Sequence, residues 1–229
     1  MNEPTAPGSR MSVSPPSGGR VKRQLGFVAL CGLLCGTGWA STPELRNTWS
    51  NPSAPPIDLS SSRMAVVVMD PDPARRREAE EMLAQKLGRY GIQAVPAEPM
   101  LPAAGGGDAT TMQKRFADAG IDTVLVMRVL GEGASLSVDP PPYYLSPQPW
   151  EYRRLSLYWG YGWGTVLAPG YLLTDTAISM ETLVYSLPRD RLLWASRTFP
   201  SHRYRIPELT AQLADLVPVQ MARAGVLTR

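Results

Sequence analysis

The chain has 229 residues, a formal net charge of +3 and a sequence pI near 9.0. The excess sits in the first 40 residues, where Arg10, Arg20, Lys22 and Arg23 face only Glu3. Beyond them acids and bases are equal in number, so net charge gives no reason to expect a nucleic-acid partner. Two cysteines and one histidine exclude a disulfide framework and a histidine-rich metal centre.

The run Leu25 to Ala40, LGFVALCGLLCGTGWA, follows a basic stretch and falls short of the roughly 20 apolar residues that a membrane-spanning helix needs. It ends in the small-x-small pattern Gly38-Trp39-Ala40 and reads as an export signal occupying residues 1–40, cleaved after Ala40, with Met11 as a second candidate start. Cys31 and Cys35 both lie inside this run, and each follows a leucine rather than the small residue that lipidation favours. Lipidation at Cys35, which would tether the protein to a membrane, therefore ranks behind cleavage. A cleaved chain has no thiol for catalysis or metal binding. Its expected location is the periplasm or the outer membrane.

Residues 41–62 are rich in Ser, Pro and Asn and read as a flexible tether, which leaves 63–229 for one domain. Arg63 to Met69 has the near-continuous apolar character of a strand buried on both faces. Asp72 is placed to cap a helix that starts at Pro73, runs to about Tyr90 and stops at Gly91. Ile92 to Val95 predicts a second strand. Thr110 or Thr111 is expected to cap a short helix that carries Met112 and Phe116, and Thr123 to Leu130 predicts a third strand. Thr174 to Leu187 and Arg191 to Phe199, joined at Pro188-Arg189-Asp190, read as an antiparallel hairpin. A last helix spans about Ile206 to Ala224, and Pro218 is expected to kink or split it. The fold class is α/β with a mixed sheet: a βαβαβ half, then a hairpin and a C-terminal helix.

Motifs for chemistry are sparse. The first strand ends in Asp70-Pro71-Asp72-Pro73 where a nucleotide site would carry glycines. Gly105-Gly106-Gly107 lacks the lysine of a phosphate loop and reads as a flexible connection. Asp70 and Asp72 belong at the carboxyl edge of the sheet and Asp122 at the opposite edge, so these three do not predict a metal site. His202 has no G-x-S-x-G partner and reads as a surface residue. Arg75-Arg76-Arg77, followed by Glu78, Glu80 and Glu81, reads as a solvated helix face with local ion pairs. No cofactor is expected.

The unusual stretch is the insert 143–171, which holds nine of the chain's 18 aromatic residues, interleaved with Gly and Pro. Such rings suit a binding surface. The expected binding residues are Tyr143, Tyr144, Trp150, Tyr158, Trp159, Tyr161 and Trp163, with Arg153 and Arg154 adding stacking or contacts to anions. Gly160, Gly162 and Gly164 alternate with the rings, a spacing that projects them to one side if the segment is extended. The other reading makes the rings a satellite core that covers a sheet edge.

Trp49-Ser50-Asn51-Pro52, the Gly/Tyr/Trp-rich insert and the hairpin from Tyr185 to Leu193 followed by Trp194 together resemble a group of poorly characterised bacterial envelope proteins, many of them lipoproteins. The likeness covers most of 49–229. The order of elements is also similar to that of outer-membrane lipoprotein activators of peptidoglycan synthases and of curli-secretion lipoproteins, which implies binding rather than catalysis. The partner implied is an envelope protein or a peptidoglycan or other glycan. The alternatives are a cell-wall hydrolase using paired carboxylates, for which Glu132 and Asp139 are the candidates, and a structural subunit of an envelope complex.

Overall fold

A computed structural model describes residues 43–102, 105–132, 153–167 and 177–228. The chain divides into two units after Ala40, and the described residues belong to the second. In chain order the strands are β1 (Leu45–Ser50), β2 (Ile57–Asp58), β3 (Arg63–Met69), β4 (Gln93–Pro96), β5 (Thr123–Glu132), β6 (Ala177–Ser186), β7 (Arg191–Thr198) and β8 (Leu227–Thr228). The helices are α1 (Pro73–Gly88), α2 (Ala109–Asp118), α3 (Leu155–Val166) and α4 (Ile206–Arg223).

Six strands form one sheet in the order β1-β7-β6-β5-β3-β4. The β3 strand pairs in parallel with β4 and β5, whereas β5–β6, β6–β7 and β7–β1 are antiparallel. The α/β class with a mixed sheet, read from the alternation of apolar runs and amphipathic stretches, is the observed one. Successive strand residues point to opposite faces, so β3 sends Val66 and Val68 one way and Val67 and Met69 the other. The first face packs against α1 through Leu83 and Leu87 and against α4 through Leu213 and Val217. The second packs against α2 through Met112 and Phe116 and against α3.

Several expectations are corrected. Residues 45–50, assigned by composition to a tether, form the edge strand β1 against β7. The register shifts between Leu45 and Asn47, so Leu45 joins one core and Trp49 the other. That bulge hides the apolar pattern from a period-two reading. The cap of α2 is Asp108, whose carboxylate accepts from the Thr111 amide at 2.9 Å, not Thr110 or Thr111. Pro218 does not split α4, which runs through it as one helix. Leu213, Val217 and Met221 seat both halves on the same core and offset the missing hydrogen bond. Gly105-Gly106-Gly107 is not a loose connection. All three residues have positive φ, and a Cβ on Gly105 would strike the Trp163 ring. Gly106 accepts a hydrogen bond from the Trp159 indole at 3.1 Å.

Candidate functional site

The described part of the aromatic insert is helix α3. Leu155, Tyr158, Trp159, Gly162, Trp163 and Val166 recur at helical spacing and face inward. Tyr158 and Trp159 are fully buried and Trp163 nearly so, which corrects the expectation that these rings form an exposed binding surface. Gly162 is the inward glycine: a Cβ there would lie 2.5 Å from the Met69 sulfur, so the glycine lets the helix sit down on β3. Trp159 meets Phe116 and Trp163 edge to face, at centroid distances of 6.3 and 6.0 Å. Tyr161 is half-buried, while Arg153 and Arg154, just before the helix, are exposed. Tyr143, Tyr144, Trp150, Cys35 and Asp139 lie outside the described residues, as does the Glu132 side chain.

Beneath α3 lies a charged row that the sequence reading missed. Arg128 of β5, Glu181 of β6 and Arg197 of β7 are register partners on one face of the sheet. Arg128 donates to Glu181 Oε1 at 3.1 Å and Arg197 to Oε2 at 2.8 Å, with all three side chains buried. The Tyr158 hydroxyl also donates to Oε1, at 2.9 Å. The Arg128 guanidinium lies 5.4 Å from the Tyr158 ring centroid and 4.9 Å from that of Tyr161. Burial pushes the Tyr158 phenol well above its ordinary pKa, and the neighbouring Glu181 charge adds to this, so the group stays a hydrogen-bond donor. Both carboxylate oxygens of Glu181 are engaged, and the arrangement is a buried structural network. The signal for it was an arginine in the middle of the apolar run Thr123 to Leu130, which a strand buried on both faces tolerates only when the charge is paired.

A second buried pair, Arg76 and Glu80 on α1, corrects the reading of that stretch as wholly solvated. Arg76 donates to the Asp70 carbonyl at 3.2 Å and lies 5.5 Å from the Trp163 ring centroid. Glu80 accepts from the amides of Val68 at 3.0 Å and Glu98 at 2.6 Å, which fixes the turn after β4 to β3. Burial raises its pKa to about 7, against the pull of those amides and of Arg76. The outward members pair elsewhere: Arg75 with Asp70 and Asp72, and Arg77 with Glu98.

The candidate site is a cleft of about 760 Å³ at the end of the sheet where β1, the β6–β7 turn and the start of α3 converge. Arg153, Arg154, Arg189 and Arg191 line it together with Trp49 and Asp190. Asp190, in the turn at φ 46, is the one acid in this lining, and its carboxylate is fully engaged. It accepts from the Ser156 amide at 2.8 Å, the Ser156 hydroxyl at 2.6 Å, Arg154 Nε at 2.8 Å and the Gln113 amide at 3.2 Å. Partial burial opposes its ionisation, but the Ser156 bonds and the Arg154 guanidinium outweigh it and hold the carboxyl below its ordinary pKa. Arg153, Arg189 and Arg191 are exposed and have no ion pair among the described residues. Three guanidiniums beside a half-buried indole, with the neighbouring carboxylate already engaged, offer donors whose charge and geometry suit an anionic group.

The remaining candidates do not come together. Asp70 and Asp72 sit after β3, whereas Asp122 sits at the other end of the sheet and accepts from the Ser62 hydroxyl. His202 is exposed. Among the described residues no three His, Cys, Asp or Glu side chains cluster as a metal site.

No known protein family and no curated protein matches the sequence. Among solved structures the chain is similar to the PelC dodecamer from Paraburkholderia phytofirmans, with 15% identity over 76% of this chain and 95% of that one at a TM-score of 0.38. It is also similar to a point variant of that dodecamer in another crystal form, with 12% identity over 76% of this chain and 98% of that one at the same TM-score.

Proposed function

We propose that this chain is an exported, non-catalytic protein of the bacterial cell envelope and that it acts by binding an anionic partner, an envelope protein or a glycan, in the arginine cleft. The observation that carries this reading is the set of three exposed arginines, 153, 189 and 191, which have no ion pair among the described residues and lie beside Trp49, while Asp190 is committed to Ser156 and Arg154. Export rests on the apolar run that ends at Gly38-Trp39-Ala40, and Cys35 offers the alternative of a lipid tether. The likeness to poorly characterised envelope lipoproteins, carried by Trp49-Ser50-Asn51-Pro52 and the hairpin, points the same way. Among the described residues of the aromatic insert, binding then belongs to Arg153 and Arg154, and the rings of α3 serve as scaffold.

The test is retention on isolated envelope material. The purified domain is expected to bind it in a salt-sensitive manner. Replacing Arg153, Arg189 and Arg191 together with Ser should abolish retention without lowering the melting temperature. Unchanged retention of a folded triple variant would contradict the reading.

A further inference from the structure

We infer that the ligand of the arginine cleft is a linear acidic polysaccharide bearing carboxylates, which crosses the β6–β7 turn from the cleft into a second groove on its other side. The inference rests on the cleft being the binding site and adds the chemical class of what it binds. The second groove, of about 320 Å³, is lined by Asp58, Ser62, Asp122, Thr123 and Ser186, and Arg189 lines both depressions. The two therefore flank one turn and share a residue, which suits an extended chain better than a compact ligand.

The chemistry of the two halves differs. The cleft offers guanidinium forks, whose planar geometry matches carboxylates, beside an indole whose flat face suits the apolar face of a sugar ring. The groove offers the carboxylates of Asp58 and Asp122, whose lone pairs beyond those taken by Ser60, Ser61, Ser62 and Thr123 can accept hydrogen bonds from sugar hydroxyls, and whose charge repels further negative charge. Hydrogen bonds from the Ser60 hydroxyl and amide and the Ser61 hydroxyl lower the pKa of Asp58, so it remains an acceptor near neutrality. A uniformly acidic peptide or a polyphosphate satisfies the first half and is disfavoured by the second. A chain that carries both carboxylates and neutral hydroxyls satisfies both.

The experiment titrates the domain with hyaluronan oligosaccharides of increasing length, in which acidic and neutral sugars alternate, with their methyl esters, and with polyglutamate and polyphosphate of matched charge. Affinity is expected to rise with length and to fall by roughly tenfold or more on esterification or in the variant R153S/R191S, the scale of losing a charge-assisted pair. The variant D58N/D122N should weaken only the longer oligomers. Polyglutamate or polyphosphate binding as tightly as the oligosaccharide would overturn the polysaccharide inference and leave the anionic cleft standing. Absence of hyaluronan binding, with envelope retention still lost in the triple arginine variant, would likewise overturn only the ligand class. If no polyanion bound and retention were unchanged in that variant, the cleft itself would fail.

Discussion

Asp190 accepts both the backbone amide and the hydroxyl of Ser156, at 2.8 and 2.6 Å, so the turn between β6 and β7 caps helix α3 from outside. The residue in the N-cap position, Arg154, makes no side-chain cap of its own. One carboxylate thus holds the helix start, the turn and Arg154 in place around the cleft.

Replacing Asp190 with Ala should cost about 1–2 kcal/mol, the scale of losing a helix cap. Asn, which tolerates the left-handed backbone at φ 46, should recover part of this. Urea denaturation measures both. Because the folded-state pKa of Asp190 is lowered, its stabilising contribution is present above the unfolded carboxylate pKa and is lost as pH falls through the folded value.

The Arg128–Glu181–Arg197 row should respond sharply to loss of its acid. Glu181→Ala leaves two buried guanidiniums without their shared carboxylate and should cost about 3–5 kcal/mol. Tyr158→Phe removes only the hydroxyl donor and should cost about 1–2 kcal/mol. A double-mutant cycle measures the coupling between Tyr158 and Glu181.

Trp159→Ala should destabilise the domain by about 3–5 kcal/mol, since the ring is fully buried against Phe116 and Trp163. Leu157→Ala, on the exposed side of the same helix, should change stability by less than about 0.5 kcal/mol. Equal effects in denaturant melts would mean that α3 does not pack as described.

Glu80 predicts a pH dependence near neutrality. Its folded pKa of about 7 lies above the ordinary 4.5, so the folded state binds the proton more tightly than the unfolded chain does. Stability should therefore fall as pH rises between about 4.5 and 7, by roughly 3 kcal/mol from this group, and level off above it. Thermal melts across that window should show the decline in the native protein and a flatter profile in Glu80→Gln.

The βαβαβ half was legible because β3 and β5 are apolar almost end to end and Asp72-Pro73 announces a helix. Helix α3 was not, because its glycines speak against a helix and the alternation of Gly160, Gly162 and Gly164 with rings imitates a period of two. The inward positions 155, 158, 159, 162, 163 and 166 nevertheless follow a helical spacing. Arg76 and Glu80 looked solvated beside their charged neighbours, yet they continue the stripe of Leu83 and Leu87 at steps of three and four. The cleft was invisible for another reason. Trp49, Arg153, Arg189 and Arg191 come from three separate stretches of chain that meet only when β1 pairs with β7 and α3 is capped by the turn. Arg153 and Arg154 were singled out from the sequence, but as companions of rings that proved to be core.

Amide chemical-shift mapping of the domain during titration with a hyaluronan oligosaccharide is the most direct measurement. The account predicts perturbations at the Trp49 indole and at the amides of residues 51–53, 153–154 and 189–191, with longer oligomers extending them to 58–62 and 122–123. Perturbations confined to the outer face of α3, around Leu157 and Leu167, would contradict it.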